Sequence, residues 1–197
     1  MEHILAIDHQ ILYFISNFIR NDILNLVMIF ITHLGDAGAI WILISILCLI
    51  KKQTRFIGIS MLLSLVLGLI IGNVFLKNII ARPRPFKTYS DIVNLINQGG
   101  YSFPSGHTLS SFTASVSFYL CAKYQKNKMP DLKACKKRLN FGKILLVLAV
   151  LISISRLYVC VHYPTDVLFG AIIGSIIAIF VVKFMTLKFP QAFIIKE

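Results

Sequence analysis

The chain is predicted to be all-α: an integral membrane bundle of about five transmembrane helices with an N-terminal amphipathic surface helix. Three observations carry that expectation. Hydrophobic residues make up 57% and charged residues 14% of 197, with a mean hydropathy of +0.79, which is too apolar for a soluble domain of this size. Apolar runs recur at bilayer-spanning length. The basic residues sit between those runs, so the net charge of +12 points to lipid headgroups and a membrane, and away from nucleic acid.

The first element covers residues 4–19. Ile4, Ile7, Ile11, Phe14, Ile15 and Phe18 recur at helical spacing, while Gln10, Tyr13, Ser16, Asn17 and Arg20 occupy another face. This pattern predicts a helix lying on the membrane. Met1-Glu2-His3 lacks the basic start of a signal peptide. Residues 22–50 are apolar except around His33 and Gly35-Asp36-Ala37-Gly38. Either half alone falls short of the roughly 20 residues that span hydrocarbon, so the segment is expected to cross once, tilted and kinked at the glycines. Further crossings are expected over 56–76, 107–124, 144–161 and 165–182. No repeat or shift in composition divides residues 1–197, which read as a single membrane domain.

Basic residues orient this bundle. Lys51, Lys52 and Arg55 follow the first crossing; Lys123, Lys126, Lys128, Lys133, Lys136, Lys137, Arg138 and Lys143 fill one loop; Lys183, Lys188 and Lys196 follow the last. Five crossings place all three groups on one side, which the positive-inside rule makes cytoplasmic. The segments Lys77 to Ser105 and Val161 to Pro164 then share the extracytoplasmic face of the cell membrane. Cys48, Cys121, Cys135 and Cys160 form neither a CxxC pair nor a metal-binding spacing, and no disulfide is expected.

The residues with chemical potential lie at the ends of the apolar runs on that face. Lys77, Arg84 and Arg156 offer three cations, the arginines with forked geometry suited to two oxygens of a phosphate. Fixed positive charge is what hydrolysis of a phosphate ester or diphosphate demands, because the phosphate oxygens repel a nucleophile and the leaving oxygen needs charge relief. Arg156, set between two apolar stretches, is hardest to explain structurally. Lys77 and Arg84 also fit the ordinary role of basic residues that reach headgroups from helix ends.

Pro104-Ser105-Gly106-His107 reads as a turn into a helix, with Ser105 as cap and the amides of Ser105 to Thr108 as an anion site. A cap alone would account for the same residues. Pro164 suits the first position of the following helix. It places His162 just before that helix and Asp166 in its first turn. Asp166 can hold one ring nitrogen of His162 and leave the other as nucleophile or base, or it can simply cap the helix. His107 has no carboxylate in its own segment and is the better proton donor to a leaving group. His33 and Asp36 either line a lipid cavity or hydrogen-bond each other at the kink. No HExxH motif or cluster of acids implies a metal, and no cofactor is implied.

Lys77-x6-Arg84-Pro85, Pro104-Ser105-Gly106-His107 and Ser155-Arg156-x5-His162-x3-Asp166 together resemble the three-part signature of the type 2 phosphatidic acid phosphatase superfamily, in its bacterial membrane branch. The resemblance implies metal-independent phosphatase chemistry on a lipid phosphate, with His162 as nucleophile forming a phosphohistidine, Asp166 as its orienting acid and His107 as general acid. It places phosphate at Lys77, Arg84, Ser105, Gly106, His107 and Arg156. Arg82-Pro83 duplicates Arg84-Pro85, and Arg82 is left to meet a second phosphate or a headgroup. Within the superfamily the chain looks most like undecaprenyl diphosphate phosphatases of the bacitracin-resistance type. Phosphatidylglycerophosphate phosphatases and broad lipid phosphate phosphatases share the motifs, as would a phosphotransferase using a lipid diphosphate donor. A lipid carrier without chemistry would need no histidine aligned with an acid. Oligomeric state leaves no mark in the sequence.

Overall fold

The computed structural model describes residues 2–129 and 133–193; Met1 and Lys196, used above for the leader and the last basic group, lie outside the described residues. Helix α1 (Glu2–Phe14) runs into a π turn (Ile15–Ile19). Ile4, Ile7, Phe14 and Phe18 are exposed, whereas Asp8 and Leu12 are buried. The apolar stripe therefore faces away from the protein, as a helix resting on a membrane requires, and an aspartate anchors its inner face.

Helix α2 (Asp22–Leu34) is capped by Asn21, whose side chain accepts from Leu24 N at 2.9 Å. A 3-10 turn (Asp36–Gly38) joins it to α3 (Ala39–Ile50), and the pair is bent by 44°. The bend falls in the glycine patch, with left-handed backbone at Ala37 (φ 49°) and Gly38 (φ 69°). Helix α4 (Arg55–Gly68) continues through a π-helix (Leu69–Leu76) into α5 (Lys77–Ile80). A short α6 (Pro85–Thr88) follows, with Pro85 in its first turn.

Three long helices complete the fold: α7 (Gly106–Lys128), α8 (Lys133–Tyr158) and α9 (Pro164–Lys188). A 3-10 turn, Pro190–Phe193, closes the described chain. The basic stretch Lys133 to Lys143, expected as loop, is the first part of α8. Its Lys, Arg, Ala and Leu residues are good helix formers, and Arg138 ties it down by donating to Gln125 Oε1 at 2.9 Å and Gln53 Oε1 at 3.0 Å.

Among the described residues, three stretches are long and apolar enough to cross a membrane: Arg55–Thr88, α8 and α9. The bent pair α2 and α3 makes a fourth if taken as one span. Helix α7, expected as a fifth, has the length without the apolarity, for it carries six Ser and Thr residues. The reason is its position. It packs against α4, α8 and α9, so its hydroxyls face protein: Trp41 Nε1 donates to Ser111 Oγ at 2.9 Å, and Ser64 and Ser117 hydroxyls pair at 2.7 Å. Small residues bring α9 against its backbone, since a side chain at Gly174 would put Cβ 2.7 Å from the Leu109 carbonyl oxygen.

The 23 residues of α7 span about 35 Å. At one end lie the start of α7, the end of α8 and the start of α9, stitched by Ser105 N donating to Asp166 O at 3.1 Å and Leu95 N to Val159 O at 3.2 Å. The basic ends of α7 and α9 lie at the other.

Candidate active site

The turn between α8 and α9 places His162. Pro164 opens α9, Tyr163 is its N-cap, and Asp166 at the third position accepts from Tyr163 N at 2.9 Å. Asp166 therefore does cap the helix, and it faces His162 as well. His162 Nδ1 lies 3.6 Å from Asp166 Oδ2, just beyond direct hydrogen-bond length, and has no hydrogen-bond partner. The opposite nitrogen fixes the tautomer. Arg84 Nη1 lies 3.3 Å from His162 Nε2, and a guanidinium only donates, so Nε2 accepts and the proton belongs on Nδ1, toward Asp166. Burial pushes the imidazole down to about 3, with Arg156 and Arg84 adding to the shift and Asp166 opposing it. Burial and the neighbouring arginines favour the neutral ring, with its lone pair on Nε2.

Four cations stand nearby, and their partners divide them. Arg82 donates to Asp166 Oδ1 at 2.7 Å, to Thr165 Oγ1 at 2.7 Å and to Asp8 Oδ2 at 2.8 Å, and its guanidinium stacks 3.6 Å above the Tyr163 ring. Both ends of its fork hold carboxylates, so it is not free for the second phosphate or headgroup expected from the sequence. Asp8 also accepts from Thr165 N at 3.0 Å, which fastens α1 to the start of α9. Asp166 Oδ2 takes a further, short hydrogen bond from Ser102 Oγ.

Lys77, Arg84 and Arg156 form no ion pair among the described residues. Arg84, 1% exposed, donates to the carbonyls of Gly99, Gly100 and Val161 at 2.7 to 3.1 Å. Arg156, fully buried, donates to Thr32 Oγ1 at 2.5 Å and Gln98 Oε1 at 2.8 Å, and its Nε has no partner. Buried cations held only by neutral acceptors are costly. Such a cluster suits an anion.

The turn before α7 contributes less than its four amides. Ser105 N donates to Asp166 O and Thr108 N to Ser105 Oγ, at 3.1 and 3.5 Å, leaving the amides of Gly106 and His107. The Ser105 side chain is buried as the cap. Gly106 keeps the site open, because a Cβ there would stand 3.1 Å from Asn73 Oδ1 and 3.8 Å from Lys77 Nζ. His107 does have a carboxylate, from a distant element: Asp36 Oδ1 lies 2.9 Å from its Nε2, and Asp36 Oδ2 lies 2.7 Å from His33 Nδ1. Asp36 and His33 therefore hydrogen-bond at the kink, and the pair reaches the site through His107.

One cavity of about 490 Å³ brings together Lys77, Arg84, Gly106, His107 and His162. Gln98 and Asn73 join that wall; Asn73 Oδ1 is buried without a partner. Arg156, Ser105 and Asp166 stand one layer behind. The cavity's other half is apolar, lined by Ile42 of α3, Leu62, Leu65 and Val66 of α4, Leu69 of the π-helix and Leu109 of α7. Asp8, Ser102, Gln98 and Thr32 escaped the sequence reading. Only Asp8 left a signal there, as an acid in the middle of an amphipathic helix.

The sequence profile of the PAP2 superfamily matches residues 57–190. The chain is 34% identical to an undecaprenyl-diphosphatase of Sulfolobus acidocaldarius, over 83% of this chain and 72% of that protein. It is 35% identical to phosphatidylglycerophosphatase B of Bacillus subtilis, over 84% and 76%. The crystal structure of a transmembrane PAP2 type phosphatidylglycerolphosphate phosphatase from Bacillus subtilis superposes with a TM-score of 0.74 at 30% identity, covering 96% of this chain and 89% of that one.

Proposed function

The chain belongs to the PAP2 superfamily of phosphatases, and from that premise we propose that it hydrolyses a lipid diphosphate, undecaprenyl diphosphate first among candidates, through a phosphohistidine on His162. The observation that carries the reading is His162, whose Nε2 lies against the donor Arg84 on the wall of a cavity where Lys77 and Arg84 form no ion pair among the described residues. Lys77, Arg84 and the free amides of Gly106 and His107 take the phosphate oxygens, with Arg156 adding charge from behind. Nε2 attacks phosphorus as the bond to the leaving oxygen breaks, and His107 protonates that oxygen. Water then attacks, its proton returns to His107, and the P–N bond breaks to release phosphate. Positive charge on the phosphate is supplied by arginine and lysine, so no metal is required.

The apolar half of the cavity supports a lipid substrate. Ile42, Val66 and Leu69 also contribute exposed surface, so a lipid chain could lie along these side chains while its headgroup stays at the cations. The end opposite the basic residues is the extracytoplasmic one by the positive-inside rule, which gives a multi-pass protein of the cell membrane with its site facing outward.

The test is phosphate release by the purified protein from undecaprenyl diphosphate, phosphatidylglycerophosphate and phosphatidic acid, with trapping of radiolabelled phosphoenzyme. The reading expects the highest kcat/KM on undecaprenyl diphosphate and an acid-labile phosphohistidine absent from His162→Ala. Preference for phosphatidylglycerophosphate, favoured by the similarity to phosphatidylglycerophosphatase B of Bacillus subtilis, would replace the substrate and keep the chemistry. Release only when an acceptor lipid is added would make the protein a phosphotransferase.

A further inference from the structure

We propose that Asp36, at the bend between α2 and α3, is the orienting carboxylate of His107, and that it fixes Nδ1 as the nitrogen that gives the proton to the leaving oxygen. The inference rests on the reading of His107 as general acid. Three observations carry it. Asp36 Oδ1 lies 2.9 Å from His107 Nε2, so that nitrogen is committed to the carboxylate. Asp36 Oδ2 is held 2.7 Å from His33 Nδ1, which fixes the carboxylate from its other side. A side chain at Gly35 would put Cβ 2.7 Å from His107 Cδ2, so the Cδ2–Nε2 edge of the ring lies against the bend itself.

The opposite edge, Nδ1 and Cε1, is thereby turned from the bend, on a residue that lines the cavity with Lys77, Arg84 and His162. The backbone that carries Asp36 is held in place for this. Ala37 adopts φ 49° without being glycine, a conformation that persists only where surroundings over-determine it, and the His107 ring packs against the preceding Gly35 and Asp36. The proton balance follows. In the first step the electron pair of the breaking P–O bond goes to the leaving oxygen, which takes the proton from Nδ1, while the other proton stays on Nε2, donated to Asp36 Oδ1. In the second, the proton of the attacking water returns to Nδ1 as the P–N bond breaks. Asp36 acts through His107 and is a positioning residue.

A purely structural role for Asp36 would lower every rate alike, so the test varies the leaving group. Phosphate release is measured from a short-chain diacylglycerol phosphate, whose alkoxide needs a proton, and from p-nitrophenyl phosphate, whose phenolate does not. Asp36→Asn is expected to lose about 10- to 100-fold in kcat on the lipid and less than about 3-fold on the aryl ester. His33→Gln should lose less in the same direction. Asp36→Asn combined with His107→Ala should be no slower on the lipid than His107→Ala alone. Equal losses on both substrates, or additive losses in the double variant, would overturn the inference. If Asp36→Asn fails to fold, Asp36→Glu keeps the charge and is held to the same leaving-group criterion. The underlying reading fails separately, if His107→Ala itself loses equally on both substrates.

Discussion

Each histidine of the site is paired with a carboxylate, and the two pairs are built differently. His162 and Asp166 have side chains 2% and 0% exposed, and Asp166 is already held by Arg82, Ser102 and the Tyr163 amide. His107 is 14% exposed against an Asp36 that is 51% exposed and is steadied by one further residue, His33. Burial and three donors fix the first carboxylate before any substrate arrives, which suits the proposed role of His162 as a nucleophile aimed at one atom. A half-exposed carboxylate suits the second if His107 is the proposed general acid, because an acid that is spent and renewed each turnover must stay in proton exchange with water. The difference teaches that a similar pairing can serve two tasks according to what surrounds the carboxylate.

Removing His162 tests the buried pair at its centre. His162→Ala should lower kcat by about 10⁴-fold or more and abolish the phosphoenzyme. His107→Ala should cost about 10²- to 10⁴-fold on a lipid substrate while leaving some phosphoenzyme with a good leaving group. Rapid-quench labelling distinguishes them, and equal loss of phosphoenzyme would erase the division of labour. Next in size is Asp166→Asn. It should cost about 10³-fold, since an amide NH₂ turned toward His162 would displace the Nδ1 proton and put it on the attacking nitrogen.

The outer supports of the buried pair should matter less for rate and more for stability. Arg82→Ala leaves Asp8 and Asp166 buried without their cation, so about 3–5 kcal/mol of stability should be lost, with kcat down about 10- to 100-fold as Asp166 loses its alignment. Asp8→Asn, on α1, should show the same two losses in smaller measure. Denaturant unfolding in detergent and turnover on one substrate are the measurements. An Arg82→Ala protein that is less active but no less stable would mean that Arg82 touches substrate.

How much of this was legible beforehand follows from where the partners lie along the chain. The helices announced themselves because apolar runs are local. His162 and Asp166 are four residues apart on a helix start, so their meeting is set by backbone geometry that Pro164 marks. Asp36 with His107, and Asp8 with Arg82, are 71 and 74 residues apart, and no periodicity links them. Arg82 and Arg84 are two residues apart and chemically alike, yet one is spent on carboxylates and the other on carbonyls. Spacing from Lys77 separated them in the sequence; only packing says why. Helix α7 was expected to cross as the others do, but its hydroxyls report a helix enclosed by neighbours.

The pH dependence of stability should follow the buried histidine. Folding holds His162 at about 3, below its unfolded value of about 6.5. Between those values the unfolded chain binds the extra proton. The folded state therefore keeps its full stability from this group above about pH 6.5 and loses it as pH falls toward 3, by at most ~1.4 kcal/mol per pH unit. His162→Gln should flatten that fall between pH 6.5 and 4.5 when unfolding is followed at a series of pH values. An unchanged slope would mean that the imidazole is hydrated in the folded protein.

The smallest expected effect is none at all, on adding EDTA. Transferring a phosphoryl group requires its charge to be met, and metal-dependent sites meet it with ions held by carboxylates. Here the two carboxylates nearest the histidines are already committed, Asp166 to Arg82 and Ser102 and Asp36 to His33 and His107, and the charge on the cavity wall is that of Lys77 and Arg84. A divalent cation there would be repelled by the same groups that draw the phosphate. Turnover after dialysis against EDTA should equal that of the untreated protein within error. Loss of activity with recovery on added magnesium would show that one of the two carboxylates leaves its histidine to hold an ion, and the contrast between the pairs would have to be redrawn around that metal.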